Sequence, residues 1–160
     1  MDNNDLFQKA LNYAYFYLKF RNRTEKEIYR YLKKKAKRFH WTETTTMAVI
    51  KTLKEQGPVD DKKFVQWFVN QRNLFKPKSG FVLKNELIKL GVTKELVDEY
   101  LSDHPQNEEG LAYKTLLPRW QRFTTLSSRE RFQKAGQFLL RRGFSFDVVK
   151  ITIAKMEGKE

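Results

Sequence analysis

The chain has 160 residues, of which 40% are hydrophobic, including 13 Phe, 7 Tyr and 3 Trp; that is enough apolar bulk for a packed core and too much for a disordered chain. It contains no cysteine, which excludes disulfides, thiolate metal clusters and a cysteine nucleophile. Its formal charge of +13 suits polyanions, either nucleic acid or an acidic protein surface, and carries no information about fold.

The opening Met1-Asp2-Asn3-Asn4-Asp5 has neither the basic start nor the apolar core of an export signal. Apolar stretches such as 13–18 are too short to span a bilayer. A cytoplasmic location without a membrane partner is therefore expected. Phe7, Ala10, Leu11, Ala14, Tyr17 and Leu18 follow a helical spacing and predict a first helix. Thr24-Glu25-Lys26-Glu27 reads as a capping box, in which hydroxyl and carboxylate each satisfy a free backbone amide, and it opens a second helix. A third helix follows Trp41-Thr42 and stops at Gly57-Pro58.

Asp60-Asp61 opens the next helix, which carries Phe64, Val65, Trp67, Phe68 and Val69. Two adjacent carboxylates with no nearby histidine or further acid are a poor metal ligand set, so they are read as caps for a helix beginning near Lys62. The loop Lys76-Pro77-Lys78-Ser79-Gly80 leads to a short helix with Leu83, Leu87 and Leu90 that ends at Gly91. His104-Pro105-Gln106-Asn107 is the next break. Pro118 falls inside the following helix, where it removes a hydrogen bond, and a kink or break is expected near Leu117. Ser127-Ser128-Arg129-Glu130 is a further candidate capping box, and its helix carries Phe132, Ala135, Phe138 and Leu139 and closes at Arg141-Arg142-Gly143.

One marker recurs. Trp41-Thr42, Val92-Thr93 and Phe144-Ser145 lie 51 and 52 residues apart. Each joins an apolar residue to a hydroxyl N-cap, and apolar or β-branched pairs follow: Thr45, Thr46, Val49 and Ile50; Leu96, Val97, Tyr100 and Leu101; Val148, Val149, Thr152 and Ile153. The preceding helices align through Ile28-Leu32-Ala36, Leu83-Leu87-Gly91 and Ala135-Leu139-Gly143. The first copy has extra residues between Ala36 and Trp41, read as one more helical turn with Phe39 on its apolar stripe. The fold expected is all-α: three tandem three-helix repeats, 1–58, 59–104 and 105–160, in an elongated, curved array.

The basic residues cluster. Residues 19–40 hold ten Lys or Arg against Glu25 and Glu27, residues 62–84 hold six and no acid, and residues 119–142 hold seven against Glu130. With Ile28, Leu32, Ala36 and Phe39 facing inward, Arg30, Lys33, Lys34, Lys37 and Arg38 fall on the outer side. Candidate contacts to DNA or an acidic partner are Arg23, Arg30, Lys33, Lys34, Lys37, Arg38, Arg72, Lys76, Lys78, Arg119, Arg122, Arg141 and Arg142. A solvated face is the plain alternative for any one of these runs. Tyr29 has two readings, stacking on a base or packing within the fold, and packing is favoured. Residues 93–110 carry six acids against Lys94 and read as a solvated face. His40 and His104 have no local partner at motif spacing, and no phosphate-binding Gly-rich run, GxSxG or HExxH is present. No enzymatic activity, metal or cofactor is expected.

Several of these segments together resemble the RecX-type recombination regulators. The matching residues are Arg23-Thr24-Glu25-Lys26-Glu27-Ile28; Leu53-Lys54-Glu55-Gln56-Gly57-Pro58-Val59-Asp60-Asp61 with Phe64, Phe68 and Val69; Glu86-Leu87-Ile88-Lys89-Leu90-Gly91-Val92; and the most specific run, Phe138-Leu139-Leu140-Arg141-Arg142-Gly143-Phe144-Ser145-Phe146-Asp147-Val148-Val149. The match runs from about Leu6 to Met156. Ala36 replaces a usual glycine, Pro58 a bulky apolar residue, and Pro118 interrupts a helix that is usually continuous. The resemblance implies a monomeric regulator that binds the RecA recombinase filament, and single-stranded DNA directly or through that filament. It implies suppression of ATP hydrolysis and strand exchange in recombinational repair, from a position along the filament groove touching more than one RecA subunit. A general basic helical module for nucleic acid is the alternative that charge alone supports.

Overall fold

A computed structural model describes residues 1–159. Among these residues the chain forms nine α-helices, one 3-10 segment and no strand: α1 (Asn3–Leu18), α2 (Glu25–Phe39), α3 (Glu43–Gln56), α4 (Asp61–Phe75), α5 (Gly80–Lys89), α6 (Lys94–Asp103), α7 (Glu108–Leu116), the 3-10 segment (Leu117–Arg122), α8 (Ser128–Arg141) and α9 (Phe146–Met156). No helix among them is long and apolar enough to cross a membrane. The all-α expectation holds. Two compact units divide the chain, the first formed by Met1–Trp67 with Leu87–Val97, the second by Phe68–Glu86 with the described residues from Asp98 onward.

The thrice-repeated marker does the same local work each time. Thr42, Thr93 and Ser145 each accept the backbone N–H three residues on, from Thr45, Leu96 and Val148, at 3.3 Å in all three cases. The residue before each hydroxyl, Trp41, Val92 or Phe144, is buried. One position earlier the backbone is left-handed in every copy: His40 at φ 61°, Gly91 at φ 100° and Gly143 at φ 90°. Glycine is required at the latter two, because a Cβ on Gly91 would lie 2.4 Å from Lys26 Cβ and one on Gly143 only 2.1 Å from Val82 Cγ2. The first copy extends α2 through Phe39, as its extra residues imply, and His40 takes the left-handed position with a side chain.

In the first unit, Ala10 and Ala14 of α1 let its backbone approach Ile28 and Leu32 of α2 and Val49, Ile50 and Leu53 of α3. Trp41 joins this core and donates its indole N–H to Thr46 Oγ1 at 3.1 Å. The capping box at Thr24 forms in full, with Glu27 N–H to Thr24 Oγ1 at 3.0 Å and Thr24 N–H to Glu27 Oε2 at 2.9 Å. The hydroxyl then donates to the carbonyl of Leu90 at 2.6 Å. Leu90 itself lies one residue past α5 and is only half-buried, not on the helix as expected. In the second unit, Ala112, Leu116, Ala135, Phe138, Leu139, Phe144, Val149 and Ile153 form the core.

Two local readings need adjustment, and a third holds. Asp60 caps α4, accepting Lys62 N–H at 3.0 Å and Lys63 N–H at 3.2 Å. Asp61 instead accepts Glu25 N–H at 2.9 Å and so caps α2. At Ser127 only half of the expected box forms, the Glu130 N–H donating to Ser127 Oγ at 3.3 Å. Pro118 acts as anticipated: α7 stops at Leu116 and the chain continues from Leu117 as a 3-10 segment, which tolerates the missing donor at its start.

Candidate polyanion interface

In α2, Ile28 and Leu32 are fully buried, and the 100° step per residue turns Arg30, Lys33, Lys34, Lys37 and Arg38 outward, where all five are exposed. None has a carboxylate partner among the described residues. Lys33 lies over the Tyr29 ring at 5.6 Å and Arg38 over the Phe39 ring at 5.2 Å, which limits their motion without neutralising them. Lys35 points elsewhere, half-buried between the rings of Tyr13 and Tyr31 at 5.0 and 5.5 Å. Tyr29 is half-buried and donates its hydroxyl to Glu43 Oε1 at 2.7 Å, which ties α2 to α3 and raises its phenol above the ordinary value. Packing is thus the reading its geometry favours.

Arg23 sits differently. Its guanidinium lies 3.8 Å from the centre of the Tyr17 ring, and it shares Glu27 with Arg21 at 3.7 and 2.5 Å respectively. Glu27 also closes the capping box, so this arginine is built into the start of α2.

The candidates of the second unit divide in the same way. Arg72 Nε binds Glu86 Oε2 at 2.9 Å, and Lys78 Nζ binds Glu86 Oε1. Burial pushes the Glu86 carboxyl up, but the hydrogen bonds from Lys78 and Arg72 outweigh it and hold the group below its usual range. Lys76, Arg119, Arg122 and Arg141 are exposed, and none has a carboxylate partner among the described residues. Arg142 is half-buried, and it shares the Phe138 ring with Arg119. Burial, then the charge of Arg119, lowers the Arg142 guanidinium from its ordinary value.

The acidic run 93–110 is less solvated than expected. Glu108 accepts Gly80 N–H at 2.7 Å and so caps α5, Asp98 pairs with Lys84 at 2.5 Å, and Glu109 pairs with Lys155 at 3.2 Å. His104 stacks on Tyr100 with ring centres 4.3 Å apart. A cleft of about 500 Å³ in the first unit is lined by Glu25, Tyr29, Glu43, Met47 and Asp61 among others. Sequence reasoning missed this concentration of carboxylates because its members come from three helices.

Residues 107–153 match the family model described as RecX, third three-helix domain. Relatives named regulatory protein RecX are 32% identical in Streptococcus mutans over 155 residues and 30% identical in Leuconostoc mesenteroides over 155 residues. Another, from a Geobacillus species, is 28% identical over 158 residues. These alignments cover 94%, 96% and 98% of this chain, which spans 57% of the length of each relative. A crystal structure of RecX from Lactobacillus salivarius superposes with a TM-score of 0.76 at 23% identity, covering 96% of this chain and 98% of that one. A second crystal structure of a regulatory protein RecX gives 0.73 at 27% identity, covering 93% and 73%.

Proposed function

We propose, because the chain belongs to the RecX family, that it is a regulatory protein which binds the RecA filament on single-stranded DNA and lowers its ATPase and strand-exchange activity. In this reading it acts by occupancy, as a monomer, with three-helix repeats at 1–58, 59–104 and 105–160 spanning more than one RecA subunit. The observation that carries the binding mode is the outer face of α2, where five exposed cations stand without carboxylate partners among the described residues. Such a face complements phosphates or acidic side chains in a groove. In the second unit Lys76, Arg119, Arg122, Arg141 and Arg142 also lack carboxylate partners among the described residues and are further candidate contacts, whereas Arg23 is bound to Glu27, and Arg72 and Lys78 to Glu86.

The test is the DNA-dependent ATPase of RecA from the same source, titrated with this protein. The rate is expected to fall to a plateau; no change at saturating protein overturns the reading. Cations without carboxylate partners among the described residues, present in both units, also favour a general nucleic-acid-binding module. That second reading requires tight DNA binding without RecA, and weak DNA binding at physiological salt with filament binding retained rejects it.

A further inference from the structure

Arg119 and Arg142 share one aromatic platform. Their guanidiniums lie 4.7 and 5.2 Å from the centre of the Phe138 ring. Phe138 is 8% exposed and belongs to the core of the second unit, so both cations rest on a fixed surface. Elsewhere in this unit partly buried cations are matched: Arg72 and Lys78 by Glu86, Lys84 by Asp98 and Arg131 by Glu157. The Arg119–Arg142 pair has no carboxylate among the described residues. Two cations on one ring, with the half-buried Arg142 lowered by burial and then by the charge of Arg119, form a site that an anion completes.

The shape of that anion follows from the donors. A guanidinium presents N–H groups in a planar fork that matches two oxygens of a phosphodiester. The surroundings select a single strand. The carbonyl of Arg142 accepts Ser79 N–H at 3.3 Å, which holds the end of α8 against the loop between α4 and α5. That loop is flanked by Phe75 and Phe81, which are 78% and 72% exposed, and it carries Lys76, which has no carboxylate partner among the described residues. Exposed rings beside a phosphate site suit unpaired bases, which present their faces for stacking.

We propose that Arg119 and Arg142, held on Phe138, clamp one backbone phosphate of single-stranded nucleic acid. The proposal rests on the regulatory reading above and deepens it, by assigning this part of the basic surface to nucleic acid rather than to an acidic protein.

The experiment measures anisotropy of fluorescein-labelled oligo(dT) with the full chain across a salt series. Losing one phosphate contact reduces the slope of log affinity against log salt by about 0.7. The Arg119→Gln/Arg142→Gln variant should show that reduction with an affinity about tenfold lower; Arg119→Lys/Arg142→Lys should restore the slope but only part of the affinity, because lysine keeps the charge and lacks the fork. Arg119→Gln alone, at an exposed position, gives the same readout if the double variant unfolds. An unchanged slope in a folded variant overturns the proposal, as does a lowered melting temperature with the slope unchanged, which would make the arginines covers for Phe138 only. Failure of the wild-type chain to bind oligo(dT) overturns it as well. The RecA ATPase separates the two readings: inhibition with an unchanged slope removes the clamp alone, and a lowered slope without inhibition removes the regulatory reading alone.

Discussion

The carboxylate of Asp61, the first residue of α4, accepts the backbone N–H of Glu25, the first residue of α2, at 2.9 Å. A helix N-terminus is thereby satisfied by a residue 36 positions away, while the residue next to it, Asp60, caps the helix on which Asp61 lies. Burial pushes the Asp61 carboxyl above its ordinary value, against the opposing hydrogen bond from Glu25. A carboxyl with a raised folded pKa binds more protons folded than unfolded, so its contribution to stability is present below the ordinary value and is lost as pH rises through the folded one.

Asp61 therefore makes stability fall with rising pH in a window that opens at the ordinary value of 3.8 and extends upward. Asp61→Asn keeps an acceptor for Glu25 and cannot ionise, so the fall attributable to this group should vanish. Asp61→Ala loses the cap and should cost about 1 kcal/mol at neutral pH. Urea unfolding midpoints over a pH series check both; identical pH slopes in wild type and Asp61→Asn would remove the argument.

Equivalent positions should respond with opposite sign to the same question. Gly143→Ala places a Cβ at φ 90° and 2.1 Å from Val82 Cγ2, so it should destabilise by about 1–3 kcal/mol. His40 already holds a left-handed conformation at φ 61° with a side chain attached. His40→Gly should be neutral or stabilise by up to about 1 kcal/mol, the relief at a left-handed position exceeding the entropy cost of glycine. Denaturant midpoints of the two variants decide the matter, and a loss of stability in His40→Gly would show that its side chain does more than occupy the turn.

These positions also mark what was legible in the sequence. Thr42, Thr93 and Ser145, the box from Thr24 to Glu27, and the break at Leu117 are local events, set by residues within three or four positions of one another, and each was readable. Asp61 beneath α2, Glu86 between Arg72 and Lys78, and Phe138 beneath Arg119 and Arg142 join different helices. Charge counting alone ranked Arg23 and Arg72 with Arg30 and Lys34. Only the fold separates cations bound to Glu27 or Glu86 from cations left facing solvent.

Leu139 is fully buried in the core of the second unit, among Phe138, Phe144, Val149 and Ile153. Leu139→Ala should cost about 2–5 kcal/mol, the spread reflecting how far that core can close over the void. Thermal or urea unfolding followed by circular dichroism measures it. A change below about 1 kcal/mol would mean that the core of this unit collapses around the cavity.

The last contrast sets the proposed contact face of α2 against Arg23, which lies just before that helix. Lys33→Glu/Lys37→Glu/Arg38→Glu reverses three exposed charges of α2 without touching Ile28 or Leu32. Lys37 and Arg38 lie in its last turn, where acids oppose the helix dipole, so a penalty of about 0.3–1 kcal/mol each is expected and the chain should remain folded. Filament binding and inhibition of the RecA ATPase should nevertheless be weakened strongly, and more so at low salt, where unscreened charges act furthest. Arg23→Ala should do the reverse: it removes a cation from the Tyr17 ring and from Glu27, lowering the melting temperature while leaving inhibition at saturating protein intact. If the triple reversal inhibits RecA as wild type does, the outer face of α2 is only solvated and the contact lies elsewhere.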